Sequence, residues 1–140
     1  MSRLSAGDVL PRQVFEISRA DLVAYAEASG DHNPIHQDEE VARSVGLPGV
    51  IAHGMLTLGL VGRAVQEWTG GAEVVELGAK FVSPVVVPAD APATLAVEGT
   101  VKDVADGLVT LALDVRSGDT KVLGMPRAVL RVDPAGRSEG

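Results

Sequence analysis

The chain has 140 residues, 46% of them hydrophobic and 22% charged, with a formal net charge of -7 and no cysteine. That length suits one domain with a real core, and the balance is that of a globular chain rather than a disordered or fibrous one. The acidic excess supplies no global field for nucleic acid or anionic lipid, and the missing thiols exclude disulfides, thiolate nucleophiles and Cys-ligated zinc. Aromatic residues are only 3%, so the core must be aliphatic.

The start of the chain, Met1 to Asp8, has no apolar run of the signal-peptide kind, and together with the absence of cysteine this points to a cytoplasmic protein. A short edge strand is expected near Val14 to Ile17. Ser18 can cap a first helix, with Asp21 three residues on to complement the dipole. Leu22, Tyr25, Ala26 and Ser29 share one stripe of that helix, and Gly30 is suited to stop it. Asp38 caps a second, shorter helix through Val41 and Ala42 to about Val45, which Gly46 and Pro48 end.

A third helix is expected from about Gly54 to Trp68. It is apolar on most of its circumference and carries Gly59 and Gly62, so something must wrap around it and approach it closely. Because it includes His53, Arg63, Gln66 and Glu67 in the run from Ala52, it falls short of the roughly 20 apolar residues of a membrane span.

The wrapping comes from four β-like runs, near Val74 to Val82, Thr94 to Val104, Leu108 to Arg116 and Lys121 to Val132. Ala105-Asp106-Gly107 and Ser117-Gly118-Asp119 are turn signals between neighbours, so the last three runs read as an antiparallel meander. The expected architecture is α+β, one domain over residues 1–134 with a frayed polar tail at 135–140. A sheet of this kind has an open edge that recruits a second copy.

Chemistry concentrates in Gly30-Asp31-His32-Asn33-Pro34-Ile35-His36. On a continuous helix Asp31 and His36 would point about 140° apart. Pro34 excludes that helix and forces a turn that can bring carboxylate and imidazole together, a natural pair for moving protons. Alone, Asp31 reads as a turn carboxylate and His36 as a surface or satisfied core histidine. As a set with Asn33, whose amide can hold the imidazole or a water, they read as function.

His53-Gly54 opens the third helix, where unpaired N–H groups favour negative charge, so the Gly54 N–H is placed to meet a developing oxyanion. His53 itself reads as structural, fixing the loop by hydrogen bonding. A zinc site from His32, His36 and His53 is disfavoured, because Pro34 breaks the helix that the spacing of His32 and His36 requires. Tyr25 reads as core, and Arg63 as snorkelling to an edge or pairing at a dimer interface. Lys80, Lys102, Lys121 and Arg127 read as solvated faces.

The run from Tyr25 to His36 (Tyr25-Ala26-Glu27-Ala28-Ser29-Gly30-Asp31-His32-Asn33-Pro34-Ile35-His36), followed by Ala42, closely resembles the hydratase signature of the MaoC-like family of R-specific enoyl-CoA hydratases and dehydratases. Ile51-Ala52-His53-Gly54-Met55-Leu56 and Phe81-Val82-Ser83-Pro84-Val85 resemble further blocks of that family. Within it, the chain is most similar to the catalytic B subunit of actinobacterial (3R)-hydroxyacyl-carrier-protein dehydratases.

The resemblance implies a hot-dog fold, a long central helix wrapped by a curved antiparallel sheet of about five or six strands. It implies reversible hydration of a trans-2-enoyl thioester, on CoA or acyl carrier protein, in fatty-acid metabolism. Asp31 and His36 would form the catalytic dyad, Asn33 an orienting group and the Gly54 N–H the oxyanion donor, with no metal or cofactor. Some relatives carry a serine further along the helix, where this chain offers only the Thr57 hydroxyl. The partner implied is a second copy or another hot-dog subunit. Two other readings share the scaffold: an acyl-thioester hydrolase, and a non-catalytic or acyl-binding subunit of a heterodimer.

Overall fold

The computed structural model describes residues 4–132, so the expected tail at 135–140 lies outside them. The chain opens on strand β1 (Val9–Ile17), longer than the four residues expected. Its first half lacks clean alternation because Pro11 cannot donate to a ladder, and the register against its neighbour shifts between Leu10 and Gln13.

Helix α1 (Arg19–Ser29) starts on a reciprocal cap: the Asp21 N–H donates to the Ser18 hydroxyl at 3.1 Å and the Ser18 N–H donates to the Asp21 carboxylate at 2.8 Å. It ends at Gly30, whose φ of 79° is the left-handed conformation that favours glycine. Only Leu22 and Ala26 are buried on it. The buried stripe is thus narrower than expected, with Tyr25 half-buried and Ser29 exposed. Helix α2 (Glu39–Ser44) is capped by Asp38 as expected.

Helix α3 (Gly54–Thr69) buries Thr57, Val61, Ala64, Val65 and Thr69. A six-stranded antiparallel sheet provides its bed, built from β2 (Glu73–Phe81), β3 (Ala93–Ala105), β4 (Leu108–Ser117), β5 (Thr120–Lys121) and β6 (Leu123–Arg131) with β1. The order is β1-β3-β4-β6-β2, with β5 paired to β4. The meander β3-β4-β6 stands as expected, and β1 and β2 are the edges.

The run from Lys121 to Val132 is not one strand: it divides at Val122 into β5, which pairs with β4, and β6. Within β6, Met125 has φ 49° and Pro126 follows it, producing a bulge against Gly78 and Lys80 of β2. Proline brings no N–H to the ladder, so the register shifts there.

The core is aliphatic, as the composition requires. Leu95, Val97, Val109, Leu111, Val115 and Leu130 of the sheet are fully buried with Leu22, Val50, Val61 and Val65. Each such side chain contributes about 1.5 to 3 kcal/mol. At the far end of α3 the Trp68 indole N–H donates to the Pro11 carbonyl at 2.7 Å. Its ring lies over Gly99 of β3, where a Cβ would stand 3.1 Å from the indole. Among the described residues no helix is long and apolar enough to cross a membrane.

Candidate active site

The segment from Ser29 to His36 is held by a ladder of short-range hydrogen bonds. The Asp31 N–H donates to the Ser29 hydroxyl, the Asn33 N–H to the Asp31 carboxylate and the Ile35 N–H to the Asn33 side-chain oxygen, each at 3.2 Å. These are Asx and Ser turns, which the side chains at those positions favour by their own chemistry. Pro34 then opens a single 3-10 turn over Pro34–His36, capped by Asn33. The chain thus leaves α1 at Gly30 and turns again at Pro34, so Asp31 and His36 share no continuous helix, as expected.

The turn buries His36, which is 7% exposed, while Asp31 and Asn33 remain in solvent. The His36 imidazole is oriented by the chain 15 residues on: its Nδ1 lies 2.7 Å from the Ile51 carbonyl. A carbonyl only accepts, so Nδ1 carries the proton and Nε2 is left with a free lone pair in the neutral ring. The backbone is clasped alongside, with the Ile51 N–H donating to the Ile35 carbonyl at 3.2 Å.

The segment Val50–Ala52 is fixed in turn by the chain before β3. Ala52 N–H donates to Val85 and Val87 N–H to Val50, both at 2.9 Å. Arg19 ties this layer down: its Nε donates to the Val87 carbonyl at 2.6 Å and its other end pairs with Glu39 at 3.0 Å. That hydrogen bond from Arg19, helped by the nearby charge of Arg43, holds the Glu39 carboxyl below the usual carboxylate range.

His53 lies on the other side of His36. The two imidazoles stack with centroids 3.8 Å apart and planes 24° from parallel. His53 Nε2 is 3.1 Å from the Asp31 backbone carbonyl, and Tyr25 of α1 sits at 4.7 Å on its outer side. One ligating atom from each of Asp31, His36 and His53 lies within 4.8 Å of the others. Chain folding thus brings together Asp31 and His36, as expected; His53 fixes the loop by hydrogen bonding at the Asp31 carbonyl, also as expected, and its stacking on His36 is what the sequence does not reveal.

His32 is exposed and outside this cluster. The cluster offers three donor atoms to a cation in principle, yet one nitrogen of each imidazole is already committed to a backbone carbonyl. The Asn33 side-chain oxygen accepts from Ile35 N–H, so its visible work is on the turn that carries His36.

Next to His36 opens an apolar cavity of about 310 Å³, walled by Ala52, Thr57, Phe81, Val82, Val85 and Leu123, with Gly54 at its rim. Gly54 is the first residue of α3, and His53 gives that terminus no side-chain cap. The first N–H groups of a helix have no intrahelical acceptor. A Cβ at Gly54 would lie 3.1 Å from the Phe81 ring, whereas Gly59 faces open space and Gly62 makes ordinary contact with Leu77. Of the glycines on α3 only Gly54 is closely approached, and the expected tight packing at Gly59 and Gly62 does not occur. Thr57, buried in the cavity wall, turns its hydroxyl back to the His53 carbonyl at 3.4 Å.

Phe81, Val82, Val85 and Leu123 of the wall belong to β2, the segment after it and β6, and periodicity alone could not assign them to a cavity. Arg63 is exposed with its guanidinium 5.6 Å above the Phe15 ring, as a snorkelling residue would be. Lys80, Lys102, Lys121 and Arg127 are exposed, and Arg127 pairs with Glu76 at 3.5 Å.

A long helix laid on a six-stranded antiparallel sheet, with the carboxylate–imidazole loop at its N-terminus, is the hot-dog class of domain. The chain belongs to the MaoC-like domain family, whose pattern matches residues 5–120. A solved structure described as a MaoC-like dehydratase superposes with a TM-score of 0.89 at 36% identity, covering 93% of this chain and 41% of that one. One subunit of the ChsH1-ChsH2 complex from Mycobacterium tuberculosis superposes with a TM-score of 0.81 at 25% identity, covering 91% of this chain and 98% of that one. Among sequences, a mitochondrial 3-hydroxyacyl-[acyl-carrier-protein] dehydratase of Arabidopsis thaliana is 40% identical over 84 residues, 60% of this chain and 50% of its own length. The chain spans half or less of the length of the first curated relatives it matches.

Proposed function

We propose that the protein is an (R)-specific hydro-lyase that interconverts a trans-2-enoyl thioester and the (3R)-hydroxyacyl thioester, carried on CoA or acyl carrier protein, in fatty-acid metabolism. The observation that carries this is the meeting of the Asp31 carboxylate and the His36 imidazole within 4.8 Å, beside an apolar cavity rimmed by the N-terminus of α3. The acyl chain occupies the cavity. The thioester carbonyl lies at Gly54.

In the hydration direction one water is held between Asp31 and His36. Its oxygen bonds to C3 as one of the two groups takes its proton, the C2=C3 π pair moves towards the carbonyl, and the second group delivers a proton to C2. Dehydration runs the same steps backwards. Nε2 is the His36 nitrogen that exchanges a proton, because Nδ1 is held at Ile51. Negative charge gathering on the thioester oxygen is met by the Gly54 N–H, a type of donor worth about 10² to 10³ in rate. Asn33 orients His36 through the turn it caps.

The partner is a second copy or another hot-dog subunit, docked along the open edge of β2. That strand ends the sheet and leaves Val75 and Phe81 exposed, with Val82 exposed just beyond it. A cytoplasmic location accords with the cysteine-free sequence.

The test is loss of the conjugated enoyl-thioester absorbance on adding the purified protein, with enoyl-CoA and enoyl-carrier-protein compared. Turnover by the chain alone supports a homo-oligomer, and turnover only with an added hot-dog partner supports the heterodimer. Release of free thiol with the double bond untouched would replace hydration by thioester hydrolysis.

A further inference from the structure

His53 is buried to 1% exposure, and its Nδ1 is the buried side-chain polar atom without a hydrogen-bond partner among the described residues. Its other nitrogen donates to the Asp31 backbone carbonyl at 3.1 Å, so the single ring proton sits on Nε2. In that tautomer Nδ1 is the bare nitrogen, and the ring packs by its face rather than through a second hydrogen bond. Its face lies 3.8 Å from His36.

A neutral π face beside an imidazole favours positive charge on that imidazole. The same ring fixes the backbone at Asp31 and occupies the residue just before Gly54. Three parts of the proposed machinery thus meet on one side chain. The other titratable groups around the stack are Asp31 from the loop and Tyr25 from α1. The facing wall, Phe81 to Val85 and Val122 to Leu123, brings none.

We infer that His53 is a positioning residue of the site: its ring face supports the proton that His36 carries during turnover, while its Nε2–H fixes the Asp31 backbone. This rests on the proposed hydro-lyase reading for its kinetic consequences but not for its tautomer. Two substitutions separate the two tasks. His53→Gln keeps an N–H donor and removes the ring face. His53→Phe keeps the face and removes the donor.

With enoyl thioester as substrate, both variants are expected to lose roughly 10- to 100-fold in kcat with KM little changed. In His53→Gln the limb of the pH–rate profile set by His36 moves to lower pH, and in His53→Phe it stays in place. A His53→Gln profile that superposes on wild type, in protein whose circular dichroism is native, overturns the stacking role. Normal kcat in both variants, with only thermal stability lowered, reduces His53 to a structural residue.

Nitrogen-15 NMR of the unmodified protein supplies a readout that needs neither folding of a variant nor activity. His53 is expected to show a protonated Nε2, slow to exchange, and a bare Nδ1, and the opposite tautomer overturns the inference. If wild type hydrates no enoyl thioester but shows this tautomer, the hydro-lyase reading fails and the arrangement of His53 stands.

Discussion

The loop from Ser29 to His36 and the start of α3 at His53-Gly54 face each other across the candidate site, and they are made in opposite ways. The turns of the loop are made by side-chain hydrogen bonds that span two residues, with longer-range bonds only where Ile51 and His53 meet it, and most of its side chains are in water. At the start of α3 there is no local cap, and the contacts reach 22 residues to Asp31 and, through the Phe81 ring, across to β2. The loop presents the reactive groups by local chemistry. The helix start aims them by tertiary packing, and the two kinds of determinant break differently.

The largest effect is expected in the loop. Asp31→Asn retains an oxygen that can accept from the Asn33 N–H, so it preserves the turn while removing the ionisable group. Turnover should fall by roughly 10² to 10⁴ with the melting temperature nearly unchanged. Near-normal turnover in a folded Asp31→Asn protein would remove Asp31 from the chemistry.

At the helix start the expected loss is structural first. Gly54→Ala keeps the N–H but brings a Cβ to 3.1 Å from the half-exposed Phe81 ring, which must shift by a few tenths of an ångström, so the loss is expected at the low end of overpacking, about 1 kcal/mol. Thermal denaturation should show the loss. Pairing it with Phe81→Leu should recover most of it. If the pair is no better than the single variant, the ring is not what restricts position 54.

Asn33→Ala removes the cap of the 3-10 turn and should cost about 1 kcal/mol. Asn33→Asp, which keeps an acceptor for the Ile35 N–H, should restore that stability. Should Asn33→Asp be stable yet slow, the amide N–H₂ touches substrate and Asn33 does more than shape the turn.

The smallest effect belongs to the tie behind both regions. Glu39 has its carboxyl lowered by Arg19, so its contribution to stability is complete above the unfolded carboxylate value, near about pH 4.3, and fades as pH falls through the lower folded value. Glu39→Gln should therefore narrow its difference from wild type as denaturation midpoints are measured at increasingly acid pH. A difference that grows on acidification would contradict the pairing.

The same contrast explains how much was legible in the sequence. Ser18, Gly30, Pro34 and Asp38 act on neighbours, and each marks the boundary it was expected to mark. Asp31 and His36 meet because Pro34 makes the chain turn, which is also local. That His53 fixes the loop by hydrogen bonding was legible, but its stacking on His36 depends on the Ile51 clasp that orients the imidazole, a contact that no spacing announces. The Met125-Pro126 bulge could have been anticipated from the proline alone. The cavity wall could not, since its residues come from separate strands that only the sheet order brings together.

Trp68 is the only indole in the chain. It lies 14 residues along α3 from Gly54, about 21 Å at 1.5 Å per residue. Seated between Pro11 and Gly99, it makes the natural fluorescence of the protein a gauge of how α3 is moored to the first edge of the sheet. Emission should therefore stay level as an acyl thioester is titrated in and change when the mooring is lost, so one cuvette can separate a variant that has stopped reacting from one that has come apart.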